Sequence, residues 1–491
     1  MKLKNLKFFL PVLIFIITFI PRLYRLDNPV ADWHSWRQAD TAAVARNFAT
    51  SRFNLFYPQA DSIMSNNGLG LNNPDRLFIN EFPFYNAIVA MLYKTFGINT
   101  AIARLVSITF ASFGAVFLYL LTTRLFGQTI GLTAGLYYAL NPYNIYYGRV
   151  IMPEPAFISL SIASLYLCLV WVKSKKWFHA VLFGLTLSLA MLVKPYAIFM
   201  GIPMAYWFII HNSKTLKNKL KIKTKQILKN KQLYFILLIA LVPLALWRRH
   251  HNNIPQGTFN SRWLFNQTEI RFTGAFFRWL IFERLNRLIF ATGGFVFFII
   301  GILNSYINKT RGLIFAWLLS ILLYMTIFAM GNVTHDYYQL PIMPVGAILV
   351  AFGFWKIVNQ PGSRLAKKLN LAIASSLMIL SLAFGWYEVR GYFNINHPEI
   401  IAAGQAVDQL LPEDAVVIAP YNRDVAFLYQ TNRYGWPLGT NLQDKVNKGA
   451  THYVSVNLDA EAQQLMADCP VLQQTDQFVI IDLQPCFNKP L

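Results

Sequence analysis

Residues 8–20, FFLPVLIFIITFI, form an apolar run, and Lys2, Lys4 and Lys7 precede it. The run continues to about residue 26 without a small-residue cleavage site, which indicates an uncleaved membrane helix rather than a signal peptide. Positive charge next to a first span stays on the cytoplasmic side, so the chain is predicted to begin inside. This one stretch therefore predicts both a membrane protein and its orientation.

The composition of the whole chain agrees with a membrane protein. Of its 491 residues, 55% are hydrophobic and only 13% are charged, with a mean hydropathy of +0.38. A soluble domain has about a quarter of its residues charged, so a soluble enzyme is disfavoured. The net charge of +22 lies mainly in loops between apolar runs. Membrane lipid, and not nucleic acid, is therefore the expected partner of the basic residues.

About ten further apolar runs are long enough to cross a bilayer, and they predict a polytopic α-helical protein of about eleven spans. These runs lie near 101–124, 130–147, 155–172, 177–193, 195–211, 233–248, 289–307, 312–330, 338–357 and 370–388. An odd number of spans places the end of the chain outside. The predicted localisation is a bacterial-type inner membrane, crossed many times, with a cytoplasmic N-terminus.

The loop charges test this topology independently. The predicted inner loops hold 18 of the 23 lysines but only three of the 21 arginines. These inner segments are the N-terminus, Arg124, 173–176, 214–231, 309–311 and 356–368. Arginine therefore concentrates on the predicted outer side. Because a planar guanidinium binds phosphate in a bidentate manner, a phosphate-bearing partner is expected at the outer face.

The segment 83–97 (PFYNAIVAMLYKTFG) is ambiguous, because about fifteen residues are short for a span. Counting it as a span would place the Lys-rich loop 214–231 outside, so we interpret it as an interfacial helix. The first outer loop then covers about 27–100. Within this loop, residues 36–48 (WRQADTAAVARNF) predict a helix lying at the surface.

After about residue 392 the composition becomes that of a soluble protein. We therefore predict a transmembrane domain, 1–391, and a small extracytoplasmic α/β domain, 392–491. Its predicted strands are 416–420, 452–456 and 478–482, and its predicted helices are 398–411 and 459–467. Cys469 and Cys486 would face an oxidising compartment, where a disulfide and two free thiols are equally compatible with the sequence.

The unusual polar residues all fall on the predicted outer side. They are Asp32, His34, Arg37, Asp40, Glu81, Arg149, Glu154, Lys194, His335, Tyr337 and Tyr338. Ionisable groups at membrane depth are costly and usually mark a site, so we expect this set to converge in one outer cavity. Pro153, Pro155 and Pro195 would fix the backbone beside Glu154 and Lys194.

These residue types suit transfer from a lipid-linked phosphosugar. A carboxylate can take a proton from a hydroxyl, and cationic and tyrosine side chains can stabilise a departing phosphate. The sequence has neither GxxxxGK[ST] nor GxGxxG, so ATP and soluble nucleotide sugars are not favoured. No metal site and no definite cofactor is predicted, although a divalent metal held by His34, Glu81 or His335 stays open.

Several pieces of sequence carry a family resemblance over about residues 1–390. They are DWHSWRQADTAAVARNF (32–48), EFPFYN (81–86), GRVIMPEP (148–155), LVKPY (192–196) and HDYYQLP (335–341). Their order and predicted sides resemble the GT-C glycosyltransferases, such as protein O-mannosyltransferases and the lipid A aminoarabinose transferase. The resemblance implies a GT-C fold. It also implies transfer of a sugar from a polyprenyl-phosphate donor to a hydroxyl of a lipid, glycan or protein at the outer face, with inversion; the acceptor is unknown.

The resemblance also assigns roles. The family's base is Asp32 or Asp40, with a slight preference for Asp32, because Asp40 can pair with Arg37 at i, i+3. Glu154 matches the second acidic position. Donor phosphate contacts are expected from Arg37, Arg149, Lys194, His335 and Tyr338. Glu81, His34 and Tyr337 are further candidates, with Phe82 replacing the basic residue that follows Glu81 in the aminoarabinose transferase. Arg262, Arg271 and Arg278 are interpreted as lipid headgroup contacts.

Two other functions compete with this one. A transporter or flippase of a lipid-linked or polar solute also needs polar groups in the membrane, but places them near the midplane, often within repeats. No repeat is evident, and the charges lie at one predicted face. A scaffold for envelope assembly is a weaker alternative, which the soluble C-terminal domain could serve.

Overall fold

The computed structural model describes residues 3–64, 72–216, 219–222, 227–304 and 308–487. Parts of the predicted Lys-rich loop 214–231 and the end of the predicted span 289–307 lie outside these residues. The chain divides into two compact units. We call Met1–Tyr24, Leu105–Arg248 and Ser261–Gly391 the helical unit, and Arg25–Arg104, Arg249–Asn260 and Tyr392–Leu491 the mixed unit. The domain division expected from the sequence stays a prediction.

Helices form wherever the sequence has a long apolar run. Their bounds are Leu3–Phe19, Thr100–Phe126, Gln128–Leu140, Pro142–Tyr147, Glu154–Ser174, Trp177–Val193, Gly201–His211, Lys231–Asn252, Trp263–Asn266, Gly274–Trp279, Gly293–Leu303, Lys309–Ile327, Ala329–Thr334, Ile342–Val358 and Arg364–Val389. Short 3₁₀ turns cover Ile20–Leu23, Pro195–Met200, Gln267–Phe272, Asp336–Gln339 and Arg390–Phe393, and Leu280–Ile289 is a π-helix. A short antiparallel hairpin pairs Ser213–Leu216 with Lys219–Ile222.

Within the described residues, five helical stretches are long and apolar enough to cross a membrane. They are Thr100–Phe126, Glu154–Ser174, Lys231–Asn252, Lys309–Ile327 and Arg364–Leu410, and a bent pair, Gly274–Ile289 with Gly293–Leu303, makes a sixth if counted as one span. Four more apolar helices have 10–17 residues: Phe9–Leu23, Trp177–Val193, Pro195–His211 and Ile342–Val358. Within the described residues the predicted spans therefore consist largely of helix, whereas the number of about eleven crossings stays a prediction.

Small residues let two helices of the helical unit pack closely. A Cβ on Gly353 would lie 1.9 Å from the Phe297 carbonyl oxygen, and one on Gly301 would lie 2.0 Å from that of Leu349. Glycine is therefore required at both positions, where the Gly293–Leu303 and Ile342–Val358 helices meet. Close backbone approach of this kind is how membrane helices gain packing energy without a hydrophobic driving force.

The mixed unit combines helices from the first loop with a sheet from the C-terminal stretch. Its helices are Ser35–Thr50, Phe84–Phe96, Pro255–Gly257 (3₁₀), Pro398–Leu410, Val425–Gln430, Leu442–Asn447, Ala460–Asp468 and Gln484–Phe487. The sheet has the order Tyr434–Trp436, Val416–Ile418, His452–Ser455, Val479–Asp482, Val471–Gln474, with the first three strands parallel and the rest antiparallel. The small C-terminal sheet expected from the sequence is present, although two of its strands were missed, and the domain bounds stay a prediction.

Two features tie this unit together. Cys469 and Cys486 form a disulfide, which resolves the alternatives left open by the sequence. Residues of the first loop also extend the sheet: the amide of Gly435 donates to the carbonyl of Asp61 at 3.0 Å, and the amide of Ile63 donates to the carbonyl of Gly435 at 2.9 Å. The loop that follows the first helix and the C-terminal strands therefore share one hydrogen-bonded sheet edge.

Candidate active site

The Ser35–Thr50 helix carries the acidic candidate Asp40, and it is buried rather than superficial. Every residue from Arg37 to Phe48 is buried. The helix packs against the Phe84–Phe96 helix and the Val425–Gln430 helix. The predicted surface position is therefore wrong. Its alanines, at 39, 42, 43 and 45, leave room for neighbours on more than one side, which the pattern of charged residues did not show.

Asp32 is held firmly ahead of this helix. Its side chain accepts a hydrogen bond from Gln38 Nε2 at 2.5 Å and lies 3.4 Å from a guanidinium nitrogen of Arg104. Arg104 is fully buried and also donates to the carbonyls of Leu26, at 2.9 Å, and Asn28. Sequence analysis missed Arg104, although an arginine inside an apolar run is itself a signal of a buried partner.

The neighbouring Trp33 and His34 shape the entry to the helix. The Trp33 ring stacks on Tyr392 with centroids 5.0 Å apart, and its backbone amide donates to the Tyr392 carbonyl at 3.1 Å. His34 occupies the N-cap position with φ 57°, and its carbonyl accepts from the amides of Arg37 and Gln38. The left-handed backbone at His34 turns the chain from the Asp32 loop into the helix.

Arg37 pairs with Glu81. The two side chains are 2.8 Å apart and largely buried. The predicted pairing of Arg37 with Asp40 is therefore wrong, because the guanidinium reaches a carboxylate in another segment of the loop. Glu81 and Arg37, both predicted site residues, are thus brought together by the mixed unit.

Asp40 differs from the other acidic candidates. It is only 4% exposed, and it makes no hydrogen bond or ion pair with the described residues. Burial raises the pKa of its carboxyl to about 8; the charges of Asp424, Asp61 and Glu81 raise it further, and Arg37 opposes them. A carboxyl that titrates near neutral pH is suited to accept a proton from a substrate.

A second ion pair fixes the other end of the same helix. Arg46 pairs with Asp61, donates to Asn432 Oδ1 at 2.5 Å and lies over the Tyr429 ring at 4.5 Å. Asn47 donates to Asp61 Oδ1 at 3.3 Å. The C-terminal stretch therefore helps to position the helix that carries Asp40. Sequence analysis did not find this network, since its members are far apart along the chain.

In the helical unit, Lys194 and Glu154 form a buried ion pair. Lys194 Nζ lies 2.9 Å from Glu154 Oε1, and both side chains are less than a tenth exposed. Glu154 Oε2 has no hydrogen-bond partner among the described residues. Glu154 begins its helix beside Pro155, and Lys194 has the extended backbone that a following proline favours. The predicted roles of the prolines match this geometry.

The HDYY segment lies in the same unit. The rings of His335 and Tyr337 stack with centroids 5.3 Å apart, and Tyr338 lies 6.0 Å from Tyr196. Asp336, which is 2% exposed, accepts a hydrogen bond from the Tyr147 hydroxyl. These contacts hold the segment in place, with the Asp336 carboxylate buried beneath it.

A narrow cavity opens between these residues. Its volume is about 10 Å³, the room that one water molecule needs. It is lined by Glu154, Phe157, Lys194, Tyr196, Tyr324, Tyr337, Tyr338, Leu340 and Pro341. An apolar cavity of about 20 Å³ shares four of these residues, Phe157, Tyr196, Tyr324 and Pro341, and is otherwise lined mainly by aliphatic and aromatic side chains. Charged and apolar surroundings therefore lie side by side.

The remaining candidate of this unit is Arg149. It is fully buried, and its guanidinium lies 5.9 Å from the centre of the Tyr146 ring. The helical unit thus brings together Glu154, Lys194, Tyr337 and Tyr338 around one cavity, with His335 stacked against the last two. Among the described residues, no three His, Cys, Asp or Glu side chains are arranged to hold a metal ion.

The fold described above is that of the GT-C membrane glycosyltransferases, and the resemblance predicted from the sequence is confirmed. The family model for dolichyl-phosphate-mannose-protein mannosyltransferases matches residues 80–247, about a third of the chain. No curated protein matches the sequence.

Two solved structures illustrate the similarity. ArnT from Cupriavidus metallidurans, bound to undecaprenyl phosphate, shares 11% identity and a TM-score of 0.64, with all of both chains covered. The oligosaccharyltransferase AglB from Archaeoglobus fulgidus, in complex with an inhibitory peptide and a dolichol-phosphate, shares 10% identity and a TM-score of 0.57, with 91% of this chain and 69% of that chain covered. At such identities the similarity is one of fold.

Proposed function

We propose that this protein transfers a sugar, hexosyl or pentosyl, from a polyprenyl-phosphate donor to a hydroxyl of a lipid, glycan or protein acceptor. The observation that carries the proposal is the buried Lys194–Glu154 pair at a small cavity that shares four lining residues with an apolar one. This arrangement suits a ligand that joins a phosphate to a prenyl tail. Its fold relatives ArnT and AglB were solved with undecaprenyl phosphate and dolichol-phosphate, which supports the same ligand class here.

The cationic site stabilises the leaving group. Lys194 exchanges its contact with Glu154 for the donor phosphate, and Tyr338 and His335 provide polar contacts beside it. Glu154, released from Lys194, accepts a hydrogen bond from a hydroxyl of the bound sugar or acceptor. Arg149 and Arg37 remain candidates for further phosphate contacts. As the bond between the anomeric carbon and the phosphate oxygen breaks, the polyprenyl phosphate leaves with the electron pair.

A carboxylate accepts the proton of the acceptor hydroxyl while the hydroxyl oxygen attacks the anomeric carbon. The attack comes from the face opposite the leaving phosphate, so the configuration at that carbon inverts. The described contacts favour Asp40 over Asp32 for this role. Asp32 is engaged with Arg104 and Gln38, which suits a positioning residue. Asp40 has no such partner and a raised pKa, which suits proton transfer. We propose Glu81, His34 and Tyr337 as further residues that contact the substrates.

The proposed location is the outer face of a bacterial-type inner membrane, with a cytoplasmic N-terminus. Two observations support it. The predicted inner loops hold most of the lysines, as the positive-inside rule requires. The Cys469–Cys486 disulfide in the C-terminal domain is typical of an oxidising, extracytoplasmic compartment.

The decisive experiment measures lipid phosphate release. Purified protein is incubated with extracted polyprenyl-phosphate sugars, with and without an acceptor extract, and free polyprenyl phosphate is quantified by mass spectrometry. Acceptor-dependent release that is lost in Lys194→Met supports the proposal. Absence of release with every donor, together with solute or lipid-linked sugar flux in proteoliposomes, would instead identify a transporter or flippase.

A further inference from the structure

The helix Gly274–Trp279 and its π-helical continuation, Leu280–Ile289, meet the following helix at a sharp angle. The bend to Gly293–Leu303 is 116°. Ala291 and Thr292 lie at the break with φ of 49° and 56°, values that L residues rarely adopt. If the following helix runs along the membrane normal, the segment before the break lies close to the plane of the bilayer.

The segment Gly274–Ile289 is amphipathic in the way that interfacial helices are. Phe277, Ile281 and Phe282 expose 45%, 42% and 58% of their surface, while Phe276 and Leu285 are buried. Exposed aromatic and aliphatic side chains on an in-plane helix insert at the boundary between headgroups and acyl chains. This surface is therefore placed at headgroup level.

A cleft of about 390 Å³ opens on the polar side of this segment. It is lined by Arg278, Phe282, Glu283, Asn286, Arg287 and Thr292. Arg287 lies 3.4 Å from Glu283 and 3.0 Å from Glu388, which ends the apolar Arg364–Val389 helix. Arg278 is exposed and has no hydrogen bond or ion pair with the described residues.

The neighbourhood of Glu388 also has the composition of a membrane interface. Trp386 and Tyr387 precede it and are 40% and 62% exposed, and Arg390 lies over the Tyr387 ring at 4.3 Å. Tryptophan, tyrosine and arginine at the end of a lipid-facing span are typical of headgroup depth. Two separate elements thus place the cleft at the same level of the bilayer.

We infer that this cleft binds the phosphoethanolamine headgroup of a membrane phospholipid, with Arg278 on the phosphate and Glu283 on the ammonium. The charges favour this headgroup because the cleft offers a guanidinium and a carboxylate together. Glu283 and Glu388 share one cation, Arg287, so an anionic glycerol headgroup would leave their excess negative charge uncompensated, and a choline headgroup has no N–H to donate. Phe277, Ile281 and Phe282 would contact the acyl chains. The inference does not depend on the proposed transfer reaction.

The test compares phospholipids of matched acyl chains. Native mass spectrometry of the detergent-solubilised full-length protein measures binding of phosphatidylethanolamine, phosphatidylcholine and phosphatidylglycerol. We expect phosphatidylethanolamine to bind at least about fivefold more tightly than the others, and Arg278→Ala and Glu283→Gln each to weaken it by about tenfold. Arg364→Ala, an exposed arginine outside the cleft, is the matched control and should leave binding unchanged.

Arg278→Lys keeps the charge but removes the planar fork, so it should weaken binding by a smaller factor and guards against misfolding of the alanine variant. The inference is overturned if phosphatidylglycerol binds as tightly as phosphatidylethanolamine, since that would indicate a general anionic lipid patch. It is also overturned if Arg278→Ala, Arg278→Lys and Glu283→Gln bind phosphatidylethanolamine as the unmodified protein does.

Discussion

The carboxyl groups of Asp40 in the mixed unit and Glu154 in the helical unit are equally buried, at 4% exposure each, yet they are accommodated in opposite ways. Glu154 is paired with Lys194 at 2.9 Å, whereas Asp40 has no ion pair with the described residues and a pKa raised to about 8. A buried acid is tolerated either when it is paired or when it keeps its proton.

The comparison separates two chemical roles. The Glu154 carboxylate holds the Lys194 ammonium in a fixed position, where a donor phosphate can replace the carboxylate as its partner. A carboxyl with a pKa near neutrality can accept a proton and release it again. We therefore expect substitutions at Asp40 to act on proton transfer and substitutions at Lys194 to act on donor binding.

The largest effect is expected from Asp40→Asn. Loss of a general base lowers a transfer rate by about 10²–10⁴-fold, and we expect a loss in this range for polyprenyl phosphate release in single-turnover assays. Folding should not suffer. Between about pH 4 and 8 folded Asp40 keeps a proton that the unfolded chain releases, so the free energy of unfolding of the unmodified protein falls with rising pH. Asn removes that dependence.

Thermal unfolding at pH 8 checks the expected effect on stability. Asp40→Asn should unfold about 2–5 °C higher than the unmodified protein. Asp444→Asn is the control, since Asp444 is exposed and pairs only with Lys448 among the described residues. It should change neither quantity. Asp32→Asn should instead lower the unfolding temperature, because it weakens the contact with buried Arg104. Unchanged transfer in Asp40→Asn would assign the base to another residue.

The second effect is expected from Lys194→Met, which should lower donor use by about 100-fold or more through loss of the phosphate contact. It also leaves Glu154 buried without its cation, which should cost stability. Glu154→Gln in the same chain should restore part of the stability but not the activity. A double-mutant cycle that measures both unfolding and phosphate release separates the two effects. Additive stability losses would show that the pair is not coupled.

Much of the fold could be predicted because helices in lipid must satisfy their own backbone, so apolar runs such as 101–124 and 177–193 report helices directly. The central strands of the C-terminal domain, such as 452–456, were predictable from runs of β-branched and aromatic residues. The edge strands Tyr434–Trp436 and Val471–Gln474 were missed because they are short and lack such a pattern.

The candidate site was predictable as a list of residues but not as a set of contacts. Lys194 and Glu154 were both selected, since charges beside prolines at span ends are conspicuous. Their pairing was not, because it joins segments forty residues apart. The same limit explains the wrong partner for Arg37, because local spacing favours an i, i+3 contact whereas Glu81 reaches Arg37 only in the tertiary fold. It also explains why the helix 36–48 was placed at the surface, since the Val425–Gln430 helix that covers it lies far away along the chain. Arg271 donates to the carbonyl of Ile327 at 2.5 Å, and its interpretation as a headgroup contact stays a prediction.

The third prediction concerns pH. If transfer requires Asp40 as a carboxylate, the rate at saturating donor should rise between about pH 6 and 9 with an apparent midpoint near 8. A rate that is flat from pH 6 to 9, or that falls, would contradict a proton-accepting role for Asp40.

The smallest effect is expected from Asp424→Asn, which tests whether the C-terminal domain tunes Asp40. Asp424 precedes the Val425–Gln430 helix, which packs on the Asp40 helix, and its charge raises the pKa of Asp40. Removing that charge should move the midpoint of the rate profile down by about half a unit and raise the rate at pH 7 about two- to threefold. The side chain also accepts from the amide of Ala426, so Asp424→Ser, which keeps a cap without the charge, is the matched variant. Both substitutions should shift the profile equally, and a shift with only one of them would point to the helix cap rather than to the charge.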